Sequence, residues 1–264
     1  MYDLNYVKPK SSSDALNEYQ KASEGQFLAG GMTLIPTLKS RLSSSDLLID
    51  LADTDLSGIN LSGEVLNIKA MTTHADVSNS SEVQNSISAI SDLAGQIGDH
   101  MVRNRGTIGG SVANNDPSAC YPSAVLSLGA TIKTSSREIK ADDFFTGLFE
   151  TALDEGELIN EFSFPVPEKS SYAKFSNPAS RYAIVGVFVS KFSDSVRVAV
   201  TGAGQNGVFR SKEIEQALNN NFSVNSLNGI SLDKDEMFSD IHAQNDYRAH
   251  LVIEMAKKAV KSIS

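Results

Sequence analysis

The stretch Arg103-Asn104-Arg105-Gly106-Thr107-Ile108-Gly109-Gly110-Ser111 constrains this chain more than any other. It sets three glycines and two hydroxyl residues beside two arginines. A second glycine pair lies upstream, in Leu28-Ala29-Gly30-Gly31-Met32-Thr33-Leu34, and each pair sits next to an apolar run. Glycine reaches positive φ without strain and lets a backbone approach a ligand closely. Successive free N–H groups in such turns form an anion-binding concavity. Two loops of this kind imply one phosphate-bearing ligand gripped twice. The plain alternative is two ordinary glycine turns.

The flanking patterns place the loops. Residues 1–27 read as a short strand broken at Lys8-Pro9, then a helix capped within Ser11–Asp14, with Leu16 and Tyr19 on one face and Gly25 as its stop. Phe27-Leu28-Ala29 reads as a buried strand, and Leu34, Ile35 and Leu38 follow with helical spacing. The first glycine pair therefore sits at a strand-to-helix turn, where amides and helix dipole favour an anion. Leu47–Leu51 and Val65–Ala70 are strand-like, and Ser80–Gln96 reads as one helix ended by Gly98. Ser111–Pro117 reads as a polar turn, Pro122–Leu128 as a helix, Ala130–Lys133 and Leu158–Phe164 as strands.

Composition shifts to Pro, Ser, Glu and Lys around Pro165–Ser171, which marks a domain boundary. Beyond it, Tyr172–Phe175, Ala183–Phe192 and Val196–Val200 suggest an antiparallel sheet, and Ser211–Leu218 and Arg248–Ile263 suggest helices. The predicted organisation is a first unit at 1–168, with lobes at about 1–53 and 54–168, and a C-terminal domain at 169–264.

Several functions are disfavoured. The formal charge of −9 argues against a general nucleic-acid binder, which must neutralise phosphates. No apolar run approaches the ~20 residues that span a bilayer, and the N-terminus lacks signal-peptide features. A cytoplasmic location is the resulting expectation. With Cys120 as the single cysteine, neither a disulfide framework nor a four-thiolate iron–sulfur site can be built here. His74, His100, His242 and His250 show no metal-ligand spacing and read as surface or satisfied buried histidines. The P-loop, the Rossmann fingerprint and the nucleophile elbow are absent; Gly202–Gly207 reads as a strand-end turn.

On these two loops the chain resembles the flavin-binding medium subunit of the molybdenum hydroxylases, which include carbon monoxide, xanthine and aldehyde dehydrogenases. The family's first loop, Ala-Gly-Gly-x-Ser/Thr-Leu, matches Ala29–Leu34, and its long second motif matches Val102–Ser111 followed by Asp116-Pro117. The likeness continues through Ile49-Asp50, Thr72-Thr73, Asp143–Phe145, Tyr172, Lys174 and Tyr247-Arg248.

The resemblance implies an α+β fold: a two-lobed FAD-binding domain of the vanillyl-alcohol-oxidase (PCMH) type, plus a C-terminal antiparallel-sheet and helix domain. By position, Leu28, Ala29, Gly30, Gly31, Met32, Thr33 and Leu34 would wrap the FAD diphosphate with backbone amides. Thr107, Ile108, Gly109, Gly110 and Ser111 would meet the flavin side and the diphosphate. Asn114 and Asp116 lie on the continuing loop, Ile159 and Lys174 match positions near the cofactor, and Tyr182 matches an aromatic beside the isoalloxazine ring. Met32 replaces the usual Gln or His. Cys120 replaces the usual Asp, a weaker acceptor that reads as a small packing residue or a redox group.

The implied function is an FAD-binding electron-transfer subunit of a molybdenum hydroxylase. A molybdenum-binding large subunit and an iron–sulfur small subunit would carry the other cofactors, in a dimer of heterotrimers. Arg103 and Arg105 would favour the anionic reduced flavin or anchor a partner. The alternatives are a self-sufficient flavin oxidoreductase and a non-catalytic assembly subunit that has lost FAD.

Overall fold

The computed structural model describes residues Met1 to Ser264. The chain opens with β1 (Asn5–Val7), α1 (Ser12–Lys21), β2 (Gly25–Leu28), α2 (Leu34–Lys39) and β3 (Leu47–Asp50). The three strands form a parallel sheet in the order β1-β3-β2. Ser11 starts α1 by accepting the Asp14 amide at 3.1 Å. The helix ends at Lys21 rather than at Gly25, which opens β2 instead. A Cβ at Gly25 would meet Ala22 at 3.0 Å and the Tyr19 ring at 3.3 Å, so glycine serves the close passage of strand and helix.

The middle of the chain contributes β4 (Ile59–Ser62), β5 (Val65–Lys69), α3 (His74–Asn79), α4 (Ser81–Ser86), α5 (Ser88–Gly95), α6 (His100–Arg105), α7 (Ile108–Asn114) and α8 (Tyr121–Ser127). It continues with β6 (Thr131–Thr134), β7 (Glu138–Lys140), α9 (Ala141–Phe144), β8 (Phe145–Gly147), β9 (Glu150–Thr151) and β10 (Ile159–Pro165). Five of these strands form an antiparallel sheet, β4-β5-β10-β6-β7. Central β10 sets Phe162 opposite Ile68 and Ile132, all fully buried beneath the helices.

Two expectations change here. The run Ser80–Gln96 is two helices, broken at Ile87, whose φ of −138° and ψ of 72° leave the helical region. Ile87 is buried, so core packing overrides helical continuity. Ser111–Pro117 is not a turn throughout: α7 runs to Asn114, and left-handed Asn115 (φ 42°) ends it.

After the Pro165–Lys169 link come β11 (Lys169–Ser176), β12 (Ala183–Lys191), β13 (Val196–Thr201), β14 (Phe209–Arg210), α10 (Lys212–Asn220) and α11 (Asn245–Lys261). The strands pair antiparallel in sequence order. Both faces of β12 are covered, which is why it is an unbroken apolar run rather than an alternating one. Val185, Val187 and Val189 share a core with Leu251, Val252 and Ala256 of α11. Phe188 joins the core of the middle region, with Tyr121 and Val125 of α8.

Candidate cofactor site

A cavity of about 570 Å³ lies between the first lobe, the helices of the middle region and the β11–β12 hairpin. Such a volume is typical of small-molecule and cofactor pockets. Its wall includes Ala29, Gly30, Gly31, Met32, Thr33 and Leu34 from the first glycine loop. β2 delivers this loop and α2 takes it away, as the strand-to-helix reading requires. Gly31 adopts φ +72°, a conformation glycine reaches without strain. The amides of Gly30, Gly31, Met32, Thr33 and Leu34 have no acceptor within the chain. They form a row of unspent donors, suited to a phosphate group.

The second glycine loop is built differently. Its amides are mostly consumed: Ile108 N–H donates to Thr72 O at 3.1 Å, Gly109 N–H to Ala70 O at 2.8 Å, and Gly110 N–H to Thr107 Oγ1 at 3.1 Å. It is the capped start of α7, not a second open cradle. Its glycines allow close packing instead. A Cβ on Gly109 would sit 2.6 Å from Ala70 Cβ, and one on Gly30 would sit 2.0 Å from Arg105 O. The two loops thus pack backbone to backbone, and Thr107, Gly110 and Ser111 reach the cavity wall beside the first loop.

Asn114, Asp116, Cys120, Lys174 and Tyr182 line another part of the wall. The 116–120 segment is held by Thr201, whose hydroxyl contacts Pro117 O at 2.9 Å and Ala119 O at 2.7 Å. Burial raises the Asp116 carboxyl above its usual range, against the Ser118 amide that lowers it. Burial, then the neighbouring Asp116 and Cys120, raises the Tyr182 phenol. Lys174 is buried, and its Nζ donates to Gln96 O at 2.9 Å and to Cys120 Sγ at 3.4 Å, neither a carboxylate. Arg181, at the tip of the β11–β12 hairpin, donates to Gly98 O at 3.2 Å and ties the hairpin to the α5–α6 link.

Four of the sequence-predicted residues lie off the wall. Leu28, Ile108, Gly109 and Ile159 are buried and do not reach it. Arg103 and Arg105 also lie off it. Arg103 is spent on the carbonyls of Ile97 (2.9 Å) and Gly98 (3.3 Å).

His74 corrects the sequence reading of a satisfied or surface histidine. It lines the cavity, retains 4% exposure, and its Nδ1 is buried without a hydrogen-bond partner. Burial, and secondarily the Arg103 guanidinium, lower its pKa to about 4. The sequence offered one signal, the position of His74 directly after Thr72-Thr73 at a strand end.

The residues fit a nucleotide cofactor: free amides for a diphosphate, a buried cation without a carboxylate partner, and an aromatic at the rim. Fold and site together define a protein with a cavity suited to a phosphate-bearing cofactor, lined by the β2–α2 loop, the helices of the middle region and the β11–β12 hairpin. Residues 2–167 match the family described as the FAD binding domain in molybdopterin dehydrogenase. The chain belongs to this family, whose cofactor is FAD.

Among its relatives is the glyceraldehyde dehydrogenase medium chain of Sulfolobus acidocaldarius, 30% identical, with 99% of each chain covered. The carbon monoxide dehydrogenase medium chain of Hydrogenophaga pseudoflava is 29% identical, over 98% of this chain and 96% of the other. The structure of reconstituted CO dehydrogenase from Oligotropha carboxidovorans superposes with a TM-score of 0.90 at 28% identity, covering 98% of this chain and 97% of that one.

Proposed function

We propose that this chain is the FAD-binding electron-transfer subunit of a molybdenum hydroxylase of the carbon monoxide dehydrogenase type. It takes electrons from iron–sulfur clusters on a small partner subunit and passes them to an external acceptor. A large partner subunit carries the molybdenum cofactor and the substrate chemistry. The observation that carries this reading is that Gly30–Leu34, whose amides have no acceptor within the chain, line a cavity of about 570 Å³. The single cysteine supports placing the clusters on another chain. The relatives are named as medium chains, which supports a multi-subunit assembly, read as a dimer of heterotrimers in the cytoplasm. No helix is long and apolar enough to cross a membrane.

When bound, FAD supplies the redox chemistry; the chain supplies position and electrostatics. In this reading the Gly30–Leu34 amides hold the diphosphate. Thr107, Gly110 and Ser111 flank it. Asn114, Asp116, Cys120, Lys174 and Tyr182 address the remaining cofactor. Leu28, Ile108 and Gly109 support the wall from behind, and Ile159 lies in the core of the middle region. The division into 1–53, 54–168 and 169–264 belongs to the same reading, and it is supported by three main sheets that do not share strands across those bounds.

Lys174→Met is expected to weaken FAD binding by about tenfold to a hundredfold, because a charged donor contributes about 1.5–3 kcal/mol. Stability should change little, since replacing a buried cation by an apolar group of similar length removes its desolvation cost. Flavin fluorescence titration and urea unfolding measure the two quantities. For the function itself, bleaching of the flavin absorption by a hydroxylase substrate should require the partner subunits. Bleaching by such a substrate in the isolated chain would establish a self-sufficient oxidoreductase instead.

A further inference from the structure

We propose that His74 is a cofactor-binding residue whose Nε2–H donates a hydrogen bond to an acceptor oxygen or ring nitrogen of FAD. This rests on reading the cavity as the FAD site. The inference starts from the two ring nitrogens. Nδ1 is buried and has no partner. Nε2 has no partner in the chain either, but it is not sealed off, and the residue lies on the cavity wall.

A neutral imidazole carries one proton, and its tautomer follows from its surroundings. A proton on Nδ1 would be an orphaned buried donor, the rarest and costliest kind of unsatisfied group. A bare Nδ1 lone pair costs less. The proton therefore sits on Nε2, facing the cavity. The charged form, which would need both protons, is disfavoured by burial and by the Arg103 guanidinium.

The donor is also fixed in place. The ring packs on buried Tyr121, with centroids 5.3 Å apart and planes at 43°. The His74 amide donates to Gly106 O at 2.9 Å, tying the start of α3 to the α6–α7 link. Gly106 admits the ring tip: a Cβ there would lie 2.6 Å from Nε2. The same glycine lies under the first loop, since a Cβ on Gly30 would come within 2.8 Å of its Cα. A rigid donor loses little entropy when its acceptor arrives.

The test uses the full chain. Nitrogen-15 NMR of labelled histidine in the FAD-free protein at neutral pH should show His74 protonated on Nε2 alone. FAD fluorescence titration should give a dissociation constant about tenfold weaker for His74→Phe, the loss of one hydrogen bond. His74→Gln, which keeps an N–H donor, should recover part of it. Phe preserves the packing on Tyr121; if that variant fails to fold, His74→Leu replaces it. An Nδ1–H tautomer, or a donor-free variant that binds FAD within about twofold of the wild type, would overturn the proposal while leaving the cavity reading intact. A folded wild-type chain that ignores FAD would overturn both.

Discussion

The Gly30→Ala chain is expected to lose about 3 kcal/mol of stability and about a hundredfold or more in FAD affinity. The added Cβ would lie 2.0 Å from Arg105 O, 2.7 Å from Arg105 C and 2.8 Å from Gly106 Cα. All three are backbone atoms, so no side chain can swing aside. Relief requires the first loop to part from the α6–α7 link, and that motion displaces the free Gly30–Leu34 amides from the cavity wall. Gly110→Ala is the matched control. Its Cβ would meet Thr107 Oγ1 at 3.0 Å and Ala29 Cβ at 3.5 Å, contacts that small adjustments absorb. Urea unfolding of the two variants should therefore differ sharply. Equal behaviour would mean that the two loops are not locked together.

Acid should destabilise this chain through His74 by up to about 3 kcal/mol. In the unfolded chain an imidazole protonates near pH 6.5, whereas in the folded chain burial and Arg103 delay this to about pH 4. Between those values the unfolded state binds a proton that the folded state does not, so stability falls as pH drops. The full contribution is present above pH 6.5 and is lost progressively toward pH 4. The residue keeps only 4% exposure, which is why so large a shift converts to stability. Urea midpoints measured from pH 7.5 to pH 4 should decline more steeply in the wild type than in His74→Gln. Parallel curves would show that the imidazole is solvated.

Much of this architecture was legible in the sequence because local and tertiary preferences agree. β2 and α2 around the first glycine pair, β10 with its alternation, and the apolar runs of β12 and β13 follow from period and turn chemistry. The α+β class and the family followed from the glycine motifs and their flanks.

What was not legible depends on distant contacts. The second glycine stretch looks like an open loop because Gly109 and Gly110 disfavour helix. Yet α7 forms there, capped by Thr107 and fixed by carbonyls of Ala70 and Thr72. The donors that a sequence reader assigns to a ligand are spent inside the protein. Ile87 breaks a helix its neighbours favour, because burying its side chain outweighs one continuous hydrogen-bond ladder. The arginines beside the motif suggested a role at the cofactor, but Arg103 serves the carbonyls of its own turn. Nothing local in the sequence distinguishes His74, whose ring is enclosed by Tyr121 and Gly106, from a histidine in solvent.

Cys120 remains the most informative departure from the family's pattern. It lies buried against Lys174 where a carboxylate is expected from the resemblance. The Nζ of Lys174 is then left without an acidic partner on the cavity wall, available to an anionic or electron-rich cofactor atom. This keeps the site suited to FAD despite the lost acceptor.

The most direct test of the central claim is the visible absorption spectrum of the purified full chain after incubation with FAD and removal of excess cofactor. The account predicts a yellow protein with a flavin spectrum and one FAD per chain, and a colourless Gly30→Ala variant. A folded wild-type chain that stays colourless would contradict it and would point to an assembly subunit without a cofactor.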